Sequence, residues 1–139
     1  MITHEAKKKV AIFLREMFGT NGDGTGTVKL GTGGGGTNPT ATDLDVPLST
    51  TSTTTATSSD DKVIEFSGSF EGGNLQGYTI REMGIFGNLP SDAEMATIDS
   101  SGYGPTLNDS VMLSRVNFEP IGNFSTSDTI DIIYTMEVE

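Results

Sequence analysis

Ile130-Asp131-Ile132-Ile133-Tyr134-Thr135-Met136-Glu137-Val138 alternates with a period of two. Ile130, Ile132, Tyr134, Met136 and Val138 fall on one side, and Asp131, Ile133, Thr135 and Glu137 on the other. Successive side chains of a strand point to opposite faces, so this pattern predicts a half-buried β-strand. The same period runs upstream. Val63 to Phe70 sets Ile64, Phe66 and Phe70 against Glu65, Ser67 and Ser69, and Glu71-Gly72-Gly73-Asn74 supplies a turn after it. Val111 to Phe118 places Met112, Val116 and Phe118 together. Tyr78 to Phe86 carries bulky groups on both sides, with Tyr78, Ile80, Glu82, Gly84 and Phe86 opposed to Thr79, Arg81, Met83 and Ile85. A strand of that kind is covered twice, and another subunit is a candidate for the second cover. The expected fold class is mainly β, an antiparallel β-sandwich or barrel-like domain with one N-terminal α-helix.

Working outward, Thr3 to Phe18 has helical spacing, with Ala6, Val10, Phe13, Leu14 and Met17 on one stripe and Lys7, Lys8 and Arg15 off it. Thr3 suits the N-cap, and Gly19 is placed to end the helix. From Gly19 to Gly36 nine of eighteen residues are glycine, which predicts loop with at most a short strand at Val28 to Leu30. Ser49 to Ser59 is Ser or Thr at every position but Ala56, and reads either as an exposed edge strand or as an extended arm. Asn88 to Asn108, with Pro90 and Pro105, reads as a long surface loop. The expected organisation is one domain over residues 1–139, consisting of a helix at 1–18, a Gly/Thr-rich loop or arm at 19–60 and a β core at 61–139.

Composition narrows the function. The 139 residues suffice for one ordinary core. Eight basic against nineteen acidic side chains leave a formal net charge of −11, which disfavours phosphate backbones and anionic bilayers as partners. The charge is also uneven. Residues 1–18 hold four cations and two carboxylates, so a helix of net +2 leads a body of net −13. Val10-Ala11-Ile12-Phe13-Leu14 after three lysines imitates a signal peptide, but five apolar residues fall short of the roughly 7–15 that export needs. The expectation is therefore no membrane partner and no nucleic-acid partner.

With no Cys, and His4 as the single histidine, neither a thiolate nucleophile nor a plausible Ser-His-Asp arrangement can be built. Gly31-Thr32-Gly33-Gly34-Gly35-Gly36 satisfies G-x-G-x-x-G in form. No helix can start at Thr37-Asn38-Pro39-Thr40, so the helix N-terminus that holds a pyrophosphate is missing. Asn21-Gly22-Asp23-Gly24-Thr25-Gly26 is similar to the front of a calcium loop, yet its twelfth position is Thr32 where a bidentate Glu is required, and two tight turns explain it better. A pair of carboxylates suited to glycoside hydrolysis is possible on paper, but no Trp is present to stack on a sugar ring. The reading is a non-enzyme with no cofactor, no metal and no catalytic residue.

Three segments together resemble the amino-terminal domain of tail-collar fibre proteins and related virion structural proteins of tailed phages. The first is Gly31-Thr32-Gly33 followed by Pro39, Ala41-Thr42-Asp43 and a leucine, Leu44 or Leu48. The second is Tyr78-Thr79-Ile80-Arg81-Glu82-Met83-Gly84-Ile85-Phe86, similar to that family's Y-x-I-R-E-x-G-[IL]-[FY] strand. The third is Phe118-Glu119-Pro120-Ile121 running into Asp128-Thr129-Ile130-Asp131-Ile132-Ile133-Tyr134, which resembles its closing hairpin. The resemblance implies a β-rich assembly module, often trimeric or ring-forming, that attaches to other virion proteins. Fibre proteins of that kind continue into a shaft and a tip that this sequence does not carry. The expected place is therefore tail, baseplate, collar or connector, assembled in the host cytoplasm, with head decoration or fibre as alternatives. A secreted sugar- or calcium-binding β module is the remaining alternative. The residues expected at subunit contacts are Val10, Phe13, Leu14, Met17, Arg81, Met83 and Ile85.

Overall fold

The computed structural model describes residues 1–19, 26–34, 40–60, 62–96 and 109–139. The chain runs through helix α1 (His4–Phe18) and strands β1 (Thr27–Gly31), β2 (Pro47–Thr53), β3 (Thr55–Asp60) and β4 (Val63–Glu71). A 3-10 turn at Gly72–Asn74, strand β5 (Ile80–Leu89), short helix α2 (Asp92–Met95), and strands β6 (Asp109–Ile121) and β7 (Thr129–Glu137) follow. The strands form two antiparallel sheets, ordered β2-β1-β5-β6 and β3-β4-β7. They build a β-sandwich-like domain that is not closed into a barrel, because β6 and β7 sit at the far edges of different sheets.

The alternation read from β4 and β7 is realised residue by residue. Ile64, Phe66 and Phe70 are buried, and their partners across the ladder are Met136, Tyr134 and Ile130. Facing them from the other sheet are Val28 and Leu30 of β1 and Met83 and Ile85 of β5, which pair as Val28 with Ile85 and Leu30 with Met83. These side chains join one core, which at about 25 cal/mol per Å² of apolar surface is the main favourable term in folding.

The region expected to be a Gly/Thr-rich loop or arm contributes three strands to the sheets. It supplies β1, β2 and β3, with Val28, Leu30, Thr54 and Ala56 buried. Of the two readings of the Ser/Thr run, the edge strand is the one observed, and it serves both sheets. β2 ends at Thr53, the buried Thr54 donates its N–H to Gly26 O (3.1 Å), and β3 starts at Thr55 in the other sheet. A chain that switches sheets in this way makes the corner of a sandwich. β-branched threonine favours such an extended path, and composition alone cannot separate that from a free arm.

Two further expectations are corrected. β6 carries a bulge opposite Ile85 and Phe86, so Ser114 pairs with Ile85 but Met112 with Phe86. One extra residue reverses the facing of everything beyond it. Leu113, Val116 and Phe118 pack on the core, and Met112 does not share their face. In addition, β6 and β7 do not make a hairpin. Their connection arches from one sheet to the other and is shaped by Asp128, which accepts from Ser125 N (2.8 Å) and whose carbonyl receives Gly72 N (2.7 Å).

Helix α1 begins as expected, with Thr3 as N-cap accepting from Ala6 N (3.2 Å). It contacts β5 of one sheet and β3 and β4 of the other, and so straddles the sandwich at one end. Its buried residues are Ala11 and Phe18, with Leu14 and Met17 beside them, so the docked face is turned from the expected stripe and confined to the C-terminal half. Of the expected surface loop, Asn88 and Leu89 belong to β5 and residues 92–95 to α2, while 97–108 lie outside the described residues.

Candidate assembly surface

The outer face of β5 is where the second cover was expected, and the chain provides it. Glu82 is fully buried, accepting the backbone N–H of Val46 at Oε1 (3.0 Å) and of Asp45 at Oε2 (3.2 Å). A carboxylate that receives two backbone donors is held in place by charge-assisted hydrogen bonds. It fastens the 43–46 segment across the strand. A Cβ on Gly31 would collide with the Glu82 side chain and one on Gly33 with the Asp45 side chain, and this close approach is what the glycines of the G-x-G run serve. Leu44 is buried beside Gly84 and Phe86, while Lys29 lies over the Phe86 ring (4.2 Å) and pairs with Asp43 (3.8 Å). Arg115 of β6 adds a pair with Asp45 (3.2 Å). Two of the segments that carry the family resemblance therefore meet in space as a structural clamp.

The expected contact residues separate into two groups. Met83 and Ile85 are 6% and 1% exposed and belong to the inter-sheet core, while the 43–46 segment lies over the other face of their strand. Leu14 and Met17 are half-buried against that core. Arg81 is exposed. Val10 is 45% exposed, Phe13 is half-buried, and Ile2 ahead of them is 61% exposed. The helix thus keeps an apolar stripe at Ala6, Val10 and Phe13 with spacings of four and three.

A second apolar surface lies at the open side of the sandwich, where sequence reasoning named no contact residue. One side is sealed by the continuous path from β2 to β3; the other is left to the two edges β6 and β7. There the inward residues Leu113, Val116 and Phe118 of β6 and Ile130, Ile132, Tyr134 and Met136 of β7 are all only half-buried. Ser114 Oγ and Tyr134 OH bridge the two edges at 2.7 Å. The alternation that announced β7 contained this signal in part: it tells which side chains turn inward, but not whether a neighbouring strand covers them. The surroundings are acidic, with Asp109, Glu119, Asp131, Glu137 and Glu139 all exposed.

The outer face of the β3-β4-β7 sheet carries a shallow groove of about 420 Å³, lined among others by Thr55, Glu65, Ser67, Ser69, Asp131 and Ile133. Ser69 Oγ donates to Asp131 there (2.9 Å). Its lining has hydroxyls and carboxylates but no aromatic ring to stack on a sugar. Among the described residues no group of three or more His, Asp or Glu side chains is placed to hold a metal ion, and no helix is long and apolar enough to cross a membrane. The calcium-loop-like residues 21–25 lie outside the described residues. No protein-family model matches the chain, and no curated protein matches it.

Proposed function

We propose that this chain is a non-enzymatic structural protein of a tailed virus, an assembly module of the tail, baseplate, collar or connector that works through subunit contacts. The observation that carries the assembly reading is the open side of the sandwich. Seven inward-facing apolar side chains on two edge strands are left half-buried while the opposite side of the same core is sealed. An apolar strip of that kind, next to strand edges that pair with no further strand among the described residues, is a surface for a protein partner. The exposed stripe of α1 is a second such surface. The virion assignment rests on the resemblance of the Tyr78 to Phe86 strand and its two companion segments, and the clamp between Glu82 and the 43–46 backbone gives those residues a shared structural purpose.

The test is mass spectrometry of tailed particles purified on a density gradient from the source culture. Recovery of this chain at a fixed ratio to the other particle proteins is expected. Its absence from washed particles would overturn the virion reading, and its presence in a head-only fraction would move it to the capsid.

A further inference from the structure

We infer that the occupant of the open β6/β7 side is the Ala6, Val10 and Phe13 side of helix α1 from a second copy of this chain. This rests on the assembly reading above and names its contact. The two surfaces match in length, apolar character and charge. The donor is a short amphipathic helix anchored on its own core by Ala11 and Phe18. Another side of it carries the exposed Ala6 and Val10 and the half-buried Phe13, with Lys7, Lys8 and Lys9 in the same two turns. An apolar stripe read at i, i+4 and i+7 is what a helix lays into a groove.

The acceptor is the half-buried row from Leu113 to Phe118 on β6 and from Ile130 to Met136 on β7. Nine residues of β7 span about 30 Å at roughly 3.3 Å per residue, and the two exposed turns of α1 span about 11 Å at 5.4 Å per turn. The helix segment therefore fits along the strip with room to spare. Residues 109–139 hold six carboxylates against one cation, and that cation, Arg115, is engaged by Asp45. A helix bearing three consecutive lysines meets an acidic rim, and opposite charge selects this pairing over helix on helix or edge on edge.

Donor and acceptor are different patches, so the contact is heterologous. Repetition closes into a ring of two or more copies when the rotation permits. Each copy gives one helix and receives one.

Two single variants and their mixture test this. Val10→Glu alters a position already 45% exposed, so folding is retained, and it places a carboxylate against the acidic rim. Ile132→Glu alters the acceptor at a half-buried position, with the circular dichroism melt checked alongside. Molar mass by light scattering should show the wild-type chain as a multimer and each folded variant as a monomer. An equimolar mixture should yield a dimer, because the intact helix of the Ile132→Glu chain docks on the intact edges of the Val10→Glu chain. If Ile132→Glu fails to fold, the acceptor rim is altered at exposed positions instead: the double charge reversal Asp131→Lys and Glu137→Lys should be monomeric below about 0.15 M salt and should form the dimer with Val10→Glu, and a wild-type multimer should loosen as salt rises. A wild-type multimer whose mass Val10→Glu leaves unchanged would overturn this contact and leave the assembly reading standing. A wild-type monomer at every concentration would overturn both this contact and self-assembly.

Discussion

Removing the Glu82 carboxylate should loosen the second cover of β5 and cost the domain much of its stability. In Glu82→Ala, the N–H groups of Asp45 and Val46 lose the acceptors they reach at 3.2 and 3.0 Å. Each hydrogen bond to a charged group contributes about 1.5–3 kcal/mol, so the pair is worth about 3–6 kcal/mol. Domains of this size are stable by about 5–15 kcal/mol in total, and at about 4 °C per kcal/mol the melting temperature should fall by about 12–24 °C. Glu82→Gln keeps the shape and one acceptor oxygen but turns an amide donor toward the second N–H, and should lose about half as much. Urea unfolding followed by circular dichroism gives the free energy, and hydrogen exchange at Asp45 and Val46 gives its location. The predicted pattern is a lowered midpoint with protection lost first at 43–46. A Glu82→Ala midpoint within about 0.5 kcal/mol of wild type, or 43–46 amides still protected, would refute the clamp.

Other perturbations test neighbouring parts of the account. Gly31→Ala forces a Cβ into the Glu82 side chain and should cost about 1–3 kcal/mol in the same urea assay. Phe66→Ala empties a site with no exposed surface at the centre of β4 and should cost about 3–5 kcal/mol, with a midpoint shift under 1 kcal/mol contradicting the core assignment. Tyr134→Phe removes the hydroxyl that meets Ser114 across the two edges and should cost about 1 kcal/mol; no change would show that the bridge adds nothing to the open side. Asp43→Asn should change stability by less than about 1 kcal/mol, because its pair with Lys29 is long and its side chain is half in water.

What the sequence disclosed follows from how far each signal reaches. Period-two alternation is local, and it identified β4 and β7 with the correct inward residues. Thr3 as a cap and Phe18 as the last helical residue are local as well, and α1 starts and stops as expected. The buried face of the helix depends on where the helix docks, and the stripe through Val10 misses Ala11 and Phe18 for that reason. The bulge in β6 is set by pairing with β5, so the facing of Met112 was not available from β6 alone. The Ser/Thr run was ambiguous because threonine suits an edge strand and an extended arm equally; only its path from one sheet to the other decides. For the assembly surface, Val10 and Phe13 were legible as a helical stripe. The open β6/β7 side was not, since it is defined by the absence of a neighbouring strand among the described residues.

The role proposed for this chain is to join protein surfaces, beginning with those of its own copies. The molar mass of the purified chain in solution, by light scattering across a concentration series with calcium and with chelator, tests that role. A mass of at least twice the single chain, unchanged by chelator, is expected. A monomer at all concentrations whose melting temperature rises with calcium would contradict it and favour a calcium-binding module instead.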